Sequence, residues 1–502
     1  MADPLILALD QGTTSTRAIL FDVQGRALAE AGRPLEQFYP ADGWVEHDAE
    51  AIFAASVEVL REAVAKAARP MAQVAAIGIT NQRETVVVWD RRTGVPIHRA
   101  IVWQDRRTAA LCDKLRGEGR EPRVTEISGL LLDPYFSGTK IAWLLDHVEG
   151  ARARAEAGEL LAGTIDAWVI WKLTGGPSHP RAVHATDATN ASRTLLFDIR
   201  QQAWSEEMGE MLGAPLSLMP EVRDCAGDYG ETDEALLGRA IPIRGVAGDQ
   251  QAALMGQGCI RSGEMKATYG TGCFMLVNTG EAAPVSKARL LTTVAARIGG
   301  KTTFALEGAI FIAGAALQWA NEGLKIGGGP QGVETLAKQA NDDLGVVLVP
   351  AFTGLGAPWW DAGARGAIVG LTRDAGLAEI ARAAFDASAL QTRDLIEAMR
   401  ADAPGAFHDK VELRIDGGMS RSAWFSQRLA DLTGIAVGRA TYGETTALGA
   451  ALFAGVGAGL YRDVAEAAAA RPKTEAFAPA MELHRREAAY ARWLDAVGRV
   501  RS

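Results

Sequence analysis

The sequence predicts an α/β protein made of two large domains, each built around a mixed β-sheet. The chain has 502 residues, more than one domain usually holds, and 48% of them are hydrophobic, enough to bury substantial cores. Strand, glycine-turn and helix signals alternate along the chain, and the same order of signals returns in its second half. We expect the division near residues 250–255, which gives domains of residues 1–252 and 253–502.

The first half begins with three short strand patterns. LILALD, RAILFDV and RALAEAG are separated by turns rich in glycine and hydroxyl side chains, and together they predict a β-meander. Asp48 is a candidate N-cap for the helix that follows, in which Phe53, Val57, Leu60 and Val64 share one face. Further strands are predicted at VAAIGIT and TVVVWD.

The second half repeats these signals. GEMKATYGTGCFMLVNTG predicts strands around a glycine and threonine turn, and a helix is expected to begin at Gly314. A long helix is predicted over residues 377–399, and VELRIDGGMSRSAWFSQRLADLTG predicts a strand, a turn and a helix. The last helix is predicted to bury a face that includes Trp493 and Leu494.

Composition excludes several classes of protein. Lys and Arg total 52 against 61 for Asp and Glu, and a net charge of −9 disfavours binding to nucleic acid or to an anionic membrane. The four cysteines show no CxxC pairing, so we expect neither a zinc site nor a disulfide framework. MADPLILALD lacks the basic segment of a secretory signal, and no apolar run approaches the ~18 residues of a membrane span. We therefore expect a cytoplasmic protein without a membrane span.

The first candidate site is the segment DQGTTSTR, which directly follows a strand. Phosphate binding requires uncrowded backbone N–H groups, hydroxyl donors and a cation, which Thr13, Thr14, Ser15 and Arg17 supply together with a glycine. The carboxylate of Asp10 could hold Mg²⁺ through water. A hairpin turn rich in hydroxyl groups accounts for the same pattern equally well.

Two further glycine turns occur at YGTG, residues 269–272, and DGGMS, residues 416–420. Each alone is weak support for a site, because glycine turns join strands in many proteins. Three such turns at corresponding points of two similar halves favour a shared ligand site. Because GxxxxGK[ST] is absent from the sequence, a nucleotide site here would not be a P-loop.

Polar residues that could bind a polyol lie at Arg83 and Glu84, between two strands. A fork of donors beside a pair of acceptors suits adjacent hydroxyl groups, although a surface ion pair is the ordinary interpretation of such a pair. Trp103 and Tyr135 could contact a ligand or belong to the core.

Asp249 follows a short apolar strand and could accept a proton from a substrate hydroxyl, with Gln250 orienting hydroxyl groups beside it. Because helix signals come directly after Asp249, an N-cap is an equally good interpretation.

These motifs together resemble the FGGY family of carbohydrate kinases. The likeness extends nearly end to end and is carried by LDQGTTSTRAILFD, TNQRETVVVWD, DPYFSGTKIAWLLD, AGDQQAALMGQ, TYGTGCFMLVNTG, DGGMSRS and ETTALGAA. It implies two actin-like ATPase domains with ribonuclease-H-like cores, flanking a catalytic cleft in which ATP, Mg²⁺ and a polyol meet. Assembly as a homodimer or homotetramer is common in the family.

Within the family, NQRET, DPYF and GDQQ are most similar to members that convert glycerol to sn-glycerol 3-phosphate with release of ADP, in glycerol catabolism. A kinase for another polyol or ketose, such as erythritol or xylulose, is the alternative within the family. An actin-like ATPase or a sugar-binding regulator without phosphotransfer is the alternative from another class, and the presence of both Asp10 and Asp249 disfavours it.

The resemblance also implies roles for individual residues, with Asp249 as the general base and Asp10 as the carboxylate near Mg²⁺. The residues implied to line the glycerol site are Arg83, Glu84, Trp103, Tyr135, Asp249, Gln250 and Phe274. The residues implied around the nucleotide are Thr13, Thr14, Ser15, Arg17, Thr271, Gly314, Gln318, Gly418 and Ser422. Ser422 stands where the family commonly has asparagine, and its side chain is too short to make the same bridge to the base.

Overall fold

Strands and helices alternate through the first half of the chain. The computed structural model describes residues 3–407 and 411–501. The strands of this half are β1 (Leu5–Gln11), β2 (Ser15–Asp22), β3 (Ala27–Pro34), β4 (Glu46–His47), β5 (Val74–Asn81), β6 (Val86–Asp90), β7 (Ala100–Ile101), β8 (Leu160–Thr164), β9 (Ala185–Asp187), β10 (Phe197–Asp198), β11 (Ala203–Trp204), β12 (Glu221–Arg223) and β13 (Ile243–Gly248). Its helices are α1 (Ala49–Lys66), α2 (Ala109–Gly117), α3 (Glu121–Ser128), α4 (Ser137–His147), α5 (Ala151–Glu156), α6 (Ile165–Leu173), α7 (Ala188–Ala191), α8 (Glu206–Leu212), α9 (Glu234–Leu237) and α10 (Asp249–Gly256).

The second half has the same alternation. Its strands are β14 (Met265–Tyr269), β15 (Cys273–Gly280), β16 (Leu291–Ile298), β17 (Lys301–Ile310), β18 (Val347–Val349), β19 (Ala367–Val369), β20 (Glu412–Gly417), β21 (Ala436–Ala440) and β22 (Thr474–Phe477). Its helices are α11 (Gly314–Glu322), α12 (Pro330–Ala337), α13 (Leu377–Asp402), α14 (Ala423–Thr433), α15 (Thr445–Gly457), α16 (Val464–Ala469) and α17 (Leu483–Val500). Short 3₁₀ helices lie at Met71–Gln73, Gly176–Ser178, Leu216–Leu218, Pro404–Ala406 and Met419–Arg421.

The first sheet has the strand order β13-β5-β1-β2-β3. β1, β2 and β3 are antiparallel neighbours, which confirms the predicted meander, while β1 pairs in parallel with β5 and β5 with β13. α1 provides the crossover to β5, and the side chain of Asp48 accepts hydrogen bonds from the N–H groups of Glu50 and Ala51. The predicted N-cap is therefore confirmed. A smaller sheet, β4-β7-β6-β8, lies outside this one.

The second sheet, β16-β17-β15-β14-β20-β21-β22, repeats the connectivity of the first. β14 is antiparallel to β15 and parallel to β20, as β1 is antiparallel to β2 and parallel to β5. The predicted repeat is therefore confirmed. Since ligands of α/β sheets bind beyond the carboxyl ends of the strands, the turns after β1, β5, β13, β14 and β20 mark where the site lies in each half.

Helix α15 belongs to the second half of the sequence but packs against the first sheet. Ala450 is buried in one apolar cluster with Ile6 of β1. A Cβ atom added to Gly78 of β5 would lie 2.2 Å from the carbonyl oxygen of Ala450, and one added to Gly449 would lie 1.8 Å from that of Ala252. Glycines thus allow α15 to approach both β5 and α10, and α10 begins at the candidate base.

Two predictions about helices need correction. The long helix α13 extends to Asp402, beyond the predicted end at residue 399. In α17, Trp493 is fully buried but Leu494 is 39% exposed, so Leu494 does not belong to the buried face. Among the described residues, every helix is too short or too polar to cross a membrane.

Candidate active site

The DQGTTSTR segment is a hairpin that presents its hydroxyl groups at the carboxyl end of β1. β1 and β2 pair directly, and the N–H of Gly12 donates to the carbonyl of Ser15 at 2.9 Å. The hairpin interpretation is thus correct for the backbone, and the backbone pairing itself does not use the side chains. Thr13 Oγ1 accepts a hydrogen bond of 2.9 Å from Trp103 Nε1. Arg17 Nη1 lies 2.8 Å from Glu444 Oε2, in the loop before α15.

Arg83 and Glu84 are buried, in the loop that follows β5. Their residues are 3% and 1% exposed, so the surface ion-pair interpretation is wrong. Glu84 has a φ of 63°, a strained value for a residue other than glycine and a frequent feature of functional sites. Arg83 Nε lies 3.2 Å from Asp249 Oδ1, and its Nη2 donates to the hydroxyl of Tyr135 at 3.4 Å. The structure thereby brings together Arg83 and Glu84 with Tyr135 and Asp249, which the sequence nominated in separate segments.

A second acid and a second arginine complete a buried group of four charges that sequence reasoning did not find. Glu307 of β17 accepts from Arg83 Nη1 at 2.6 Å and from Arg193 Nη2 at 3.0 Å. Arg193 Nε also donates to Glu84 at 2.6 Å. Burial raises the pKa of Glu307, but Arg193 and Arg83 outweigh it and hold that pKa at about 2. The only signal in the sequence was an acid inside the apolar strand TFALEG.

Aromatic rings from both halves form the apolar wall of this pocket. The ring of Trp103 lies 5.5 Å from that of Tyr135 and 6.4 Å from that of Phe274, both edge to face. All three side chains are only partly buried. Tyr135 also packs against the core cluster that contains Phe136, so its position is compatible with both interpretations, whereas Trp103 belongs to no such cluster among the described residues. Phe274 comes from β15, which means that both halves supply the wall.

Asp249 is the first residue of α10, directly after β13. The N-cap is Gly248, so the capping interpretation of Asp249 is wrong. Its Oδ1 accepts the N–H of Gln250 at 2.7 Å, and its side chain is 32% exposed. The carboxylate is therefore held in place by Arg83 and its own helix while remaining open to a ligand.

Asp10 lies near the end of β1, close to two other acids. Burial, together with the charges of Asp249 and Glu444, raises the pKa of Asp10 to about 7 against the opposing charge of Arg17. This surplus of negative charge suits a divalent cation. The described residues contain no group of three or more His, Cys, Asp or Glu side chains arranged around a metal. A site with one protein carboxylate and several waters fits the preference of Mg²⁺.

The other two glycine turns lie side by side in the second half. Thr271 accepts backbone hydrogen bonds from Ala313 and Ala315 through its carbonyl. A Cβ atom on Gly314, the first residue of α11, would lie 2.5 Å from the carbonyl oxygen of Gly270. Gly417, which precedes Gly418, has a φ of 89°, and a Cβ atom there would lie 2.4 Å from the carbonyl oxygen of Tyr269. The carboxyl ends of β14 and β20 and the start of α11 thus meet closely.

Two residues that are predicted to contact the nucleotide form local hydrogen bonds. The exposed side chain of Gln318 donates to Glu322, four residues along the same helix, at 3.1 Å. Ser422 is the N-cap of α14, and its Oγ accepts from the N–H of Phe425 at 2.9 Å. Capping gives Ser422 a structural role that requires no nucleotide.

A cavity of about 840 Å³ lies away from this cleft, between α13, α14 and α17. Its lining includes Arg382, Arg428 and Asp386 and none of the residues described above. Both of these arginines lie within ion-pair distance of Asp386. We therefore assign the site by its chemistry rather than by cavity size.

Comparison with known proteins identifies the family of this chain. Residues 5–256 match the N-terminal domain of the FGGY family of carbohydrate kinases, and residues 265–458 match its C-terminal domain. The chain belongs to the FGGY family. The predicted fold of two actin-like domains is thereby confirmed.

Similar members of the FGGY family can be named. A glycerol kinase from Rhodospirillum centenum is 56% identical over 499 residues, which cover 99% of this chain and 98% of that protein. A glycerol kinase from Alcanivorax borkumensis is 54% identical over 497 residues, with coverage of 99% and 98%. The crystal structure of Plasmodium falciparum glycerol kinase with ADP superposes with a TM-score of 0.93 at 33% identity, covering 99% of this chain and 98% of that one.

Proposed function

We propose that this FGGY kinase transfers the γ-phosphoryl group of ATP to glycerol, giving sn-glycerol 3-phosphate and ADP. The main support is the position of Asp249, whose partly exposed carboxylate lies 3.2 Å from Arg83 Nε in a pocket with one aromatic wall and one charged wall. A three-carbon polyol fits both walls of this pocket. Its carbon backbone can contact the aromatic rings, and its hydroxyl groups can form hydrogen bonds with Arg83 and Glu84. The relatives named glycerol kinase share more than half of the sequence.

Asp249 acts in this reaction as the general base. Its carboxylate accepts the proton of the terminal hydroxyl, the oxygen forms a bond to the γ-phosphorus, and the bond from that phosphorus to the bridging oxygen breaks to release ADP. Arg83 holds the base in position, and the rings of Trp103 and Phe274 exclude water from the acceptor side. Water would otherwise compete as the acceptor and hydrolyse ATP.

The nucleotide phosphates are assigned to the hydroxyl-rich turn and Arg17 in the first half. We assign Thr271, Gly314 and Gly418 to the opposite side, where glycine at position 314 allows α11 to begin close to the carbonyl of Gly270. Asp10 would hold Mg²⁺ through water, and that ion neutralises phosphate charge when bound. Contacts of Gln318 and Ser422 with the nucleotide base remain a proposal. For such contacts the local hydrogen bonds of both side chains must break or be shared with the nucleotide.

We further infer the setting in which the enzyme works. The division into residues 1–252 and 253–502 places Asp249 at the junction, where closure of the halves would complete the site. Action in the cytoplasm on a small polyol, without a nucleic-acid partner, agrees with the net charge of −9. Assembly as a homodimer or homotetramer is the form common in the family, and light scattering after gel filtration measures it.

The test is release of ADP from Mg-ATP with glycerol, dihydroxyacetone, erythritol, xylulose or no acceptor, for the wild type and Asp249→Asn. We expect a strong preference for glycerol and a loss of about 10²–10⁴-fold in kcat for the variant, without loss of ADP binding. Preference for another acceptor would leave Asp249 as the assigned base but would show that glycerol is not the substrate. Equal ADP release without any acceptor would overturn the kinase assignment in favour of an ATPase.

A further inference from the structure

A fully buried lysine contacts the residue next to the proposed base and has no part in the mechanism above. Lys266 is 0% exposed and lies on β14. It shares a face of the second sheet with Thr268 two residues away, and it pairs across strands with Leu276, which in turn pairs with Glu307. Since Thr268 pairs with Phe274, this face is the one that carries the pocket wall.

The ammonium group of Lys266 reaches the substrate side of the cleft through Gln250. Its Nζ donates to Gln250 Oε1 and, at 3.1 Å, to Thr268 Oγ1. Gln250 follows the base Asp249 on α10 and is only partly buried. Lys266 of the second half therefore contacts the residue next to the base, which belongs to the first half.

The chemistry of the two groups sets the orientation of the amide. A glutamine side chain has one oxygen that accepts and one nitrogen that donates, whereas an ammonium group only donates. Oε1 must therefore face Lys266, and the two hydrogens of Nε2 must face the other way. Among the bonds of the described residues, Nε2 of Gln250 donates to no protein group.

The charges around Lys266 are compatible with this arrangement. Burial lowers the pKa of Lys266, Asp416 and Asp249 oppose that shift, and Arg83 adds to it. Glu307 also interacts with Lys266 through its charge. Both the ammonium and the neutral amine retain N–H donors for Oε1, but only the ammonium lacks an acceptor, so the ammonium form is the one that fixes the orientation of the amide.

We propose that Lys266 is a positioning residue that fixes the amide of Gln250, so that the pocket offers an N–H donor to a hydroxyl oxygen of the polyol. The inference rests on the proposed function and deepens it, because it assigns part of the substrate specificity to a residue that does not touch substrate. An acceptor molecule without an oxygen at that point would leave Nε2 unpaired and bind less tightly.

The test is a double-mutant cycle with Lys266→Met and Gln250→Ala, measured as kcat/KM and as equilibrium binding of the acceptor. We expect Lys266→Met to raise the KM for the acceptor about tenfold, with a much smaller change in kcat and in the KM for ATP. In the Gln250→Ala background the same substitution should change that KM by less than about twofold. Fully multiplicative effects would show that Lys266 acts independently of Gln250 and would overturn the proposal.

Lys140→Met is the matched control for loss of a buried lysine. Lys140 is also fully buried near the pocket, but its Nζ donates to the backbone oxygens of Tyr135 and Glu84 instead of Gln250. The effect of Lys140→Met on the KM for the acceptor should multiply with the effect of Gln250→Ala. Coupling of the same size for both lysines would reduce Lys266 to a structural role and overturn the proposal.

Gln250→Glu keeps the test decisive if Lys266→Met does not fold. One carboxylate oxygen would bind Lys266, and the other would face the polyol without an N–H group to donate. We therefore expect the polyol to bind less tightly, at undiminished thermal stability. Wild-type affinity in Gln250→Glu would overturn the proposal. The cycle uses whichever acceptor the wild type prefers, so it remains readable even if glycerol is not the substrate.

Discussion

Glu307 accepts hydrogen bonds from both terminal nitrogens of Arg83, at 2.6 and 3.1 Å. Arg83 belongs to the first half of the chain and Glu307 to a strand of the second sheet. The orientation of the proposed substrate-binding arginine is therefore set by the other half. Assembly of the two halves and formation of the polyol pocket depend on the same buried bonds.

Replacing Glu307 by glutamine should damage both stability and substrate binding. Arg83 and Arg193 would lose their shared counter-charge in a buried site, which typically lowers the free energy of unfolding by about 3–5 kcal/mol. We also expect a higher KM for the acceptor, because Arg83 would no longer be held toward the pocket. Denaturant unfolding and steady-state kinetics measure these two effects.

The control for this prediction is Glu58→Gln, which removes an exposed ion pair with Arg33. Neither stability nor KM should change measurably in that variant. If Glu307→Gln behaved like the control, the group of four charges would have no role in the site.

Trp103→Phe should weaken binding of both substrates. The substitution keeps an aromatic ring but removes the bond from Nε1 to Thr13, which links the polyol wall to the phosphate turn. Loss of about 1 kcal/mol corresponds to a KM about fivefold higher. Initial rates with each substrate varied in turn provide the measurement.

Trp204→Phe removes a comparable bond, from Nε1 to the carbonyl of Pro220, at a distance from the cleft. It should lower thermal stability and leave both KM values unchanged. A rise in the KM for glycerol alone in Trp103→Phe would argue against a link between the two subsites.

Asp10 should make the stability of the nucleotide-free protein depend on pH. Its pKa is raised from 3.8 to about 7, so between these values the folded state binds more protons at Asp10 than the unfolded state does. The contribution of Asp10 to the free energy of unfolding therefore falls as pH rises from about 4 to about 7 and is constant above that range. Asp10→Asn should remove this component.

Thermal denaturation at a series of pH values, without Mg²⁺ or nucleotide, measures the difference between the two proteins. The pKa of Asp166 is also raised to about 7, so both proteins retain some slope in this range. Identical slopes would show that Asp10 does not titrate there. Activity should be lost in Asp10→Asn at every pH.

Glu444→Gln should increase the affinity for nucleotide. Glu444 pairs with Arg17 at 2.8 Å and so competes with phosphate for this guanidinium. The side chains are 45% and 32% exposed, so the pair contributes less than about 1 kcal/mol and the affinity should rise by no more than about fivefold. Calorimetric titration with ADP provides the measurement, and added salt should reduce the difference.

In an Arg17→Gln background, Glu444→Gln should have little effect on ADP affinity. An undiminished effect there would mean that Glu444 acts by repelling phosphate directly. A lower affinity in Glu444→Gln alone would contradict the competition altogether.

Local features of the fold were predictable because they depend on short-range patterns. The β-meander, the N-cap at Asp48 and the start of α11 at Gly314 follow from apolar periodicity, capping chemistry and glycine turns. The burial of Leu494 was predicted wrongly, because periodicity identifies an apolar face but not how much of it another element covers. The same limit applies to Asp249, whose sequence context fits a cap and a base equally well.

The sequence by itself determined the repeated α/β architecture and which motifs belong to the site, since each motif is a contiguous run. Only the tertiary structure decided the partners of those motifs. Glu307, Arg193 and Lys266 lie in ordinary strand and loop sequence, and they reach Arg83, Glu84 and Gln250 only because the halves fold together. Buried charges require partners of opposite charge or hydrogen bonds, but that requirement does not specify where along the chain the partner lies. Which residues become partners is determined when the two sheets fold against a common cleft.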